Sequence, residues 1–365
     1  MINVLSRPLV AAACSLLVLL AATPALGQRF MPTEIVEADK ITEDMNDRIV
    51  AMVDPLIFDL TRDEPKPQDI TEAREQLLSL FRANQPSAAY LEALSTSISS
   101  RISAAVDHES PLVRMNAMII LASMVDDASK TLIDKGLTDK NDAVQHWAVT
   151  ALGKRAQWWK ARIAANDGRG KQAKIDAVIA QIKKLIEQKE PPHPIVVRAG
   201  LDALVKINTP LSREALIEIL NQRVPLHEAN PNLSYAPERS VLESFTNVLV
   251  SEVPPDLRSI KGYNRAMFRY AALIIEHSKA NRIDQDQEKG AQTMLFLCLQ
   301  GMANVSAAAK APNSPPATHN DAKGWIVNGR WDDLEVQINE GWRAILSAPP
   351  FSLKPSELAI KPAAE

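Results

Sequence analysis

The sequence predicts an all-α protein, an α-solenoid built from stacked helix pairs, and three observations carry that prediction. Alanine, leucine, glutamate and lysine fill the long segments between prolines, which is a helical composition. Glycine is scarce, at 12 of 365 residues, while 24 prolines punctuate the chain and β-branched alternation is almost absent, which argues against a sandwich or a doubly wound sheet. The third observation is a recurring stripe. Ser110-Pro111-x-Val113-x-x-x-Ala117-x-x-x-Leu121 returns as Asn141-Asp142-x-Val144-x-x-x-Ala148-x-x-x-Leu152, and more loosely as His193-Pro194-x-Val196-x-x-x-Gly200-x-x-x-Leu204.

Each copy has the same physical logic. Ser110 and Asn141 are residue types that cap a helix by accepting from its free N–H groups. Pro111 and Pro194 stand at the first turn, where the missing donor costs nothing. Valine, a small residue and leucine at four-residue steps form one apolar face. The small central residue admits a neighbouring helix at close range. A second helix is expected after each copy, over 128–137, 171–188 and 212–220, with Thr209-Pro210 marking the turn before the last. Val113 and Val144 are 31 residues apart, Val144 and Val196 are 52 apart, so the second interval is one repeat plus an insertion of about twenty residues. Helix pairs at such a period bury their faces only by stacking on the next pair.

The motif resembles the HEAT repeat family, whose first helix opens on Pro or Asp and continues with Val-Arg, a small residue and Leu. Val113-Arg114 with Ala117 and Leu121 matches best; Val144-Gln145 lacks the basic residue, and Val196-Val197-Arg198 displaces it by one. The match covers 109–224. The resemblance implies a HEAT-like α-solenoid offering an extended binding or scaffolding surface rather than a reaction.

The flanks follow the same reading. Residues 28–68 form an acidic segment with a short helix. From Glu34 to Glu75 there are thirteen acidic residues against five basic, and Ile41, Met45, Ile49, Met52 and Val53 recur at helical spacing near 40–53. Asp63-Glu64-Pro65-Lys66-Pro67 reads as an exposed linker. The solenoid domain is set at 69–305, with further helices at 71–82, 88–106, 238–251, 263–280 and 287–305; the last three are divergent repeats or a cap. A proline-rich linker is expected over 306–322, an amphipathic helix over 323–347 with Leu334, Ile338, Trp342 and Ile345 on one face, and a flexible tail over 348–365. That helix either packs back on the array or is presented to another protein.

The N-terminus predicts export. A weakly positive start with Arg7, a charge-free apolar run over 9–22 and the small-residue exit Ala25-Leu26-Gly27 have the anatomy of a signal peptide over 1–27, cleaved after Gly27. The run is too short to remain as a comfortable membrane span. The mature chain is then expected in the periplasm or outside the cell. Losing Arg7 leaves 40 basic against 44 acidic residues, a balance that predicts neither a nucleic-acid binder nor a membrane-surface binder. Cys298 alone remains of the two cysteines, so no internal disulfide is expected, and its apolar neighbours make it a small core residue.

Chemistry is hard to find. No G-x-S-x-G, G-x-x-x-x-G-K or G-x-G-x-x-G occurs, and Asp167-Gly168-Arg169-Gly170-Lys171 lacks the upstream glycine of a phosphate loop. His108, His146, His193, His227, His277 and His319 show no metal-ligand spacing. The sequence is therefore read as non-enzymatic, with no cofactor and no metal: a scaffold for a protein or peptide partner bound by residues of the second helices. An enzyme assembled across helices, of lyase or hydrolase type, is the rival from another class. A third reading rests on 154–174, where Lys154, Arg155, Lys160, Arg162, Arg169, Lys171 and Lys174 surround Trp158 and Trp159 with Asp167 as the only acid. That candidate binding surface would take an anionic envelope polymer by charge and stacking.

Overall fold

The computed structural model describes residues 30–124, 129–166, 170–188, 192–311 and 319–359, and every regular element among them is helical. The predicted signal peptide lies outside the described residues. No helix among the described residues is long and apolar enough to cross a membrane.

The chain opens with α1 (Thr33–Val36), α2 (Glu43–Thr61), α3 (Pro67–Phe81), α4 (Ala88–Ser99) and α5 (Ser103–Val106). Thr42 caps α2 by accepting from the Met45 amide. The helix expected near 40–53 runs on to Thr61, through Pro55. That proline removes one helical donor, but Ile49, Val53, Leu56, Ile57 and Leu60 form one buried stripe across it, and burial outweighs the lost bond. The single helix expected over 88–106 instead turns at 100–102 between α4 and α5.

The stacked helices follow as α6 (Pro111–Leu121), α7 (Lys130–Leu137), α8 (Asp142–Ala164), α9 (Gln172–Ile186), α10 (Pro194–Ile207), α11 (Pro210–Ala229), α12 (Ala236–Ser251), α13 (Leu257–Lys279) and α14 (Gln285–Ala308). The first helices α6, α8, α10, α12 and α14 pack each on the next, and α9, α11 and α13 do the same in a second layer. The helices beyond residue 237 thus continue both layers. The predicted stripes are the seams of this array: Val113, Ala117, Leu121, Val144, Ala148, Leu152, Val196 and Leu204 are all buried. Gly200 is needed for the close approach of α9 to α10, because a Cβ there would come within 2.6 Å of Ile186 Cδ1.

The turns are tied as the sequence suggested, with one exception. Asn141 Oδ1 accepts from the amides of Ala143 and Val144 at 3.0 and 3.3 Å, and Pro111 and Pro194 open their helices. Ser110 makes no side-chain cap. Its surroundings are held instead by Arg114, which donates to the carbonyls of His108 and Glu109 at 2.8 Å each and pairs with Asp139 at 2.6 Å. The basic residue of the Val-Arg pair therefore staples α6 to the turn before α8.

The C-terminal part comprises α15 (His319–Val327), α16 (Trp331–Val336), a π-helical turn (Gln337–Trp342), α17 (Arg343–Ser347) and α18 (Pro355–Leu358). Gly329, at φ +63°, reverses the chain between α15 and α16. Leu334, Ile338, Trp342 and Ile345 are buried, with α16 and the π turn lying on α13, so this stripe packs back on the array and is not presented to a partner. The segment expected as a flexible tail is ordered through residue 359, because Phe351, Leu353 and Leu358 are buried and α18 rests on α13. The predicted linker is shorter at its start, since α14 continues to Ala308; residues 312–318 lie outside the described set.

Candidate functional site

The predicted insertion is mostly extra turns of α8, which runs unbroken to Ala164. A helix turns by 100° per residue, so adjacent tryptophans cannot both face inward. Trp159 is buried, and Trp158 is half-buried beneath Arg162, whose guanidinium carbon lies 5.2 Å from the ring centroid. Arg155 is buried and donates to the Ser129 hydroxyl. Lys160 donates to the carbonyls of Ile207 and Asn208 at 2.9 and 2.7 Å. It closes the C-terminus of α10, whose last carbonyls lack helical partners. Burial first, then Arg213, lowers the Lys160 pKa. Lys154 and Lys171 reach solvent, and Arg169 lies outside the described residues. The structure spreads the seven described candidate residues between the interior, the next helix and the surface.

A cavity of about 760 Å³ opens elsewhere, between the second-layer helices α11 and α13. Its size falls within the ~300–1,000 Å³ usual for ligand sites. α11 contributes Glu214, Ile217, Glu218, Asn221, Gln222 and Pro225, and α13 contributes Arg258, Lys261, Gly262, Arg265 and Arg269. Both sets recur at three- and four-residue steps, so each is one face of its helix. Leu353 and Glu357 close one side. The floor is tight because Gly262 meets Ile217, where a Cβ would come within 2.7 Å of Cγ2.

Polar bonds fix the walls. Arg265 Nε donates to Asn221 Oδ1 at 3.2 Å, and Arg269 Nη1 donates to the Asn221 carbonyl at 3.4 Å. Glu214 pairs with Arg258 at 2.5 Å, and Glu218 with Lys183 at 2.6 Å. Asp256 caps α13 through the Ser259 amide and hydroxyl at 3.1 and 2.6 Å; these bonds and Arg213 outweigh burial and lower its pKa. Glu357 accepts from the Lys354 amide at 2.9 Å and stands 3.7 Å from Arg265. Lys261 and Arg269 have no carboxylate within ion-pair distance among the described residues, and Arg269 Nε is buried without a hydrogen-bond acceptor. Burial first, then the neighbouring Arg265, lowers the Arg269 pKa.

Behind the groove, α11 is anchored by a sealed ionic cluster. Glu238, wholly buried on α12, accepts through one oxygen from Arg223 Nε at 2.5 Å and His227 Nε2 at 3.0 Å. Tyr235 stacks on the His227 ring at 4.1 Å, and Tyr270 meets it edge-on. Burial opposes the Glu238 charge, but the His227 bond and the Arg223 charge win and hold its pKa at about 2. This is the grouping most like an acid–base site, yet Glu238 and His227 have no exposed surface through which a substrate could enter. Among the described residues no group of His, Cys, Asp and Glu is arranged to hold a metal ion.

Sequence reasoning did not find the groove. The signal lies in the four-residue spacing of Lys261, Arg265 and Arg269, the last two of which fall within the helix expected over 263–280.

No known family profile matches the chain, and no curated protein matches it. Among solved structures it is similar to two engineered proteins from the Northeast Structural Genomics Consortium. One superposes with a TM-score of 0.35 at 18% identity, covering 68% of this chain and 97% of the other. The second gives a TM-score of 0.30 at 14% identity, covering 89% and 90%. Superpositions of that quality carry no argument about ancestry or activity. The described structure itself establishes an all-α, solenoid-like array.

Proposed function

We propose that this chain is an exported, HEAT-like helical-repeat scaffold that binds a linear segment of a partner protein in the α11–α13 groove. The supporting observation is the groove itself, lined by faces of the second-layer helices α11 and α13, floored by Ile217 and Gly262 and closed on one side by Leu353. Stacked helix pairs generate such continuous concavities without any residue being spent on catalysis. Leu211, Val253 and Leu257, near the lining residues Pro210, Asp256 and Arg258 in sequence, are 41%, 92% and 45% exposed. The polyanion reading of 154–174 has less support, since Lys160 is committed to the end of α10 and Arg155 and Trp159 are interior.

The test is selection from a random linear-peptide display library, with the Gln222→Trp protein as counter-target. Gln222 is exposed on the groove wall, so the larger ring obstructs the site without disturbing the core. Peptides retained by the wild type and lost on Gln222→Trp are the expected result. Peptides retained equally by both, or none retained by either, refute the groove as the binding surface.

A further inference from the structure

The charges on the groove walls are unequal once their partners are counted. Each of the four lining carboxylates is engaged: Glu214 by Arg258, Glu218 by Lys183, Asp256 by Ser259 and Glu357 by the Lys354 amide. The cations of α13 are not so matched. Arg258 has Glu214, whereas Arg265 meets Glu357 only at 3.7 Å, and Lys261 and Arg269 meet no carboxylate among the described residues. Glu228 is the acid whose charge acts on Arg269, but it lies beyond ion-pair distance, and burial together with Glu276 raises its pKa. A half-buried guanidinium with an orphaned Nε is costly unless something accepts from it.

Lys261, Arg265 and Arg269 are four residues apart, so they form one stripe with a step of about 6 Å and a length of about 12 Å. An extended peptide places alternate side chains on one side at a step of about 6.7 Å. Acidic residues at alternate positions therefore keep pace with the stripe over three charges. The intervening side chains turn toward α11, where Ile217 and Pro225 supply apolar surface.

Resting on the groove reading above, we infer that the partner segment is an extended acidic peptide with carboxylates at alternate positions, received by Lys261, Arg265 and Arg269. Charge-assisted bonds to the two guanidinium groups give the affinity, and the helical step selects the spacing. The cations of α13 repel a basic peptide, and each carboxylate of the groove already has its own partner.

The experiment is fluorescence anisotropy on the full chain with three labelled, blocked peptides: Glu-Val-Glu-Val-Glu, Glu-Glu-Glu-Val-Val and Lys-Val-Lys-Val-Lys. The first is expected to bind at least about fivefold more tightly than the second, with affinity falling as salt rises, and the third is expected not to bind. Replacing both guanidiniums, Arg265→Gln with Arg269→Gln, is expected to weaken it by more than about tenfold. Lys261→Gln removes a charge with no carboxylate partner among the described residues; it is expected to weaken binding about threefold without changing the melting profile, which keeps the test informative should the double variant unfold. Equal binding of the two acidic peptides overturns the spacing, and no binding by any of the three overturns the acidic partner. Tight binding of the lysine peptide that is lost on Gln222→Trp overturns this inference while leaving the groove reading standing.

Discussion

Substituting Glu238 by Gln removes the one negative charge between Arg223 and His227 while nearly preserving shape. Two independent routes give the size of the effect. A carboxyl whose ordinary pKa of 4.5 falls to about 2 in the fold draws about 3 kcal/mol of stability from its ionisation. Removing one member of a buried pair typically costs about 3–5 kcal/mol, because the remaining charge stays buried and unmatched. Glu238 is wholly buried, so solvent screening does not reduce either figure. The pH dependence has a definite sign. The folded pKa is depressed, so the stabilisation is fully present above about 4.5 and is lost as pH falls toward about 2. Urea unfolding followed by circular dichroism, at neutral pH and through the acid range, should show Glu238→Gln less stable by about 3 kcal/mol at neutrality, the gap closing below pH 4.5. Repeat arrays can unfold in parts, so hydrogen exchange of the α11 amides is the accompanying measure. Replacing all three residues by Arg223→Met, His227→Phe and Glu238→Leu should recover most of the loss, since an apolar cluster of similar volume leaves no charge unpaired. A gap under about 1 kcal/mol, or one that does not vary with pH in the acid range, would falsify the claim that the ion cluster anchors α11.

Three further outcomes follow from the packing. Lys160→Met should destabilise the protein by about 2 kcal/mol, through two charge-assisted bonds to Ile207 and Asn208, whereas Lys154→Met at the surface should change stability by less than about 0.5 kcal/mol; urea midpoints compare them. Gly200→Val should cost about 1–3 kcal/mol by forcing α9 from α10, seen as a lower melting temperature, and a neutral result would refute the close approach at Ile186. Trp342→Ala should cost about 3–5 kcal/mol and speed hydrogen exchange in α13, where the C-terminal helices rest; unchanged exchange there would separate the two.

The parts of this fold that depend on one helix face were legible in the sequence. Val113, Ala117 and Leu121 announce a buried stripe, and the same spacing at Val144 and Val196 announces its repetition. Gly200 is readable as a close approach because it holds the small central position that Ala117 and Ala148 hold in the other two copies. What depends on two helices was not legible. His227 stands alone in sequence; its partner Glu238 is eleven residues on, across the 230–235 loop, and no periodicity connects them. The basic run at 154–174 looked like one surface because composition averages over a helix whose faces differ. Lys160 shows the physical reason: a long side chain beside a neighbour's open carbonyls binds backbone before it binds anything from outside. The groove was missed for the converse reason, since its cations are diluted among the apolar residues of α13 and acquire meaning only opposite α11.

The contribution of Leu353 and Glu357 to the groove has a consequence for when the surface exists. Both helical walls are synthesised by residue 279, but the side closed by residues 353–357 arrives more than seventy residues later. A chain whose synthesis has reached residue 279 therefore has both walls but an open trough, and the finished cavity forms only after α14 has been added behind it.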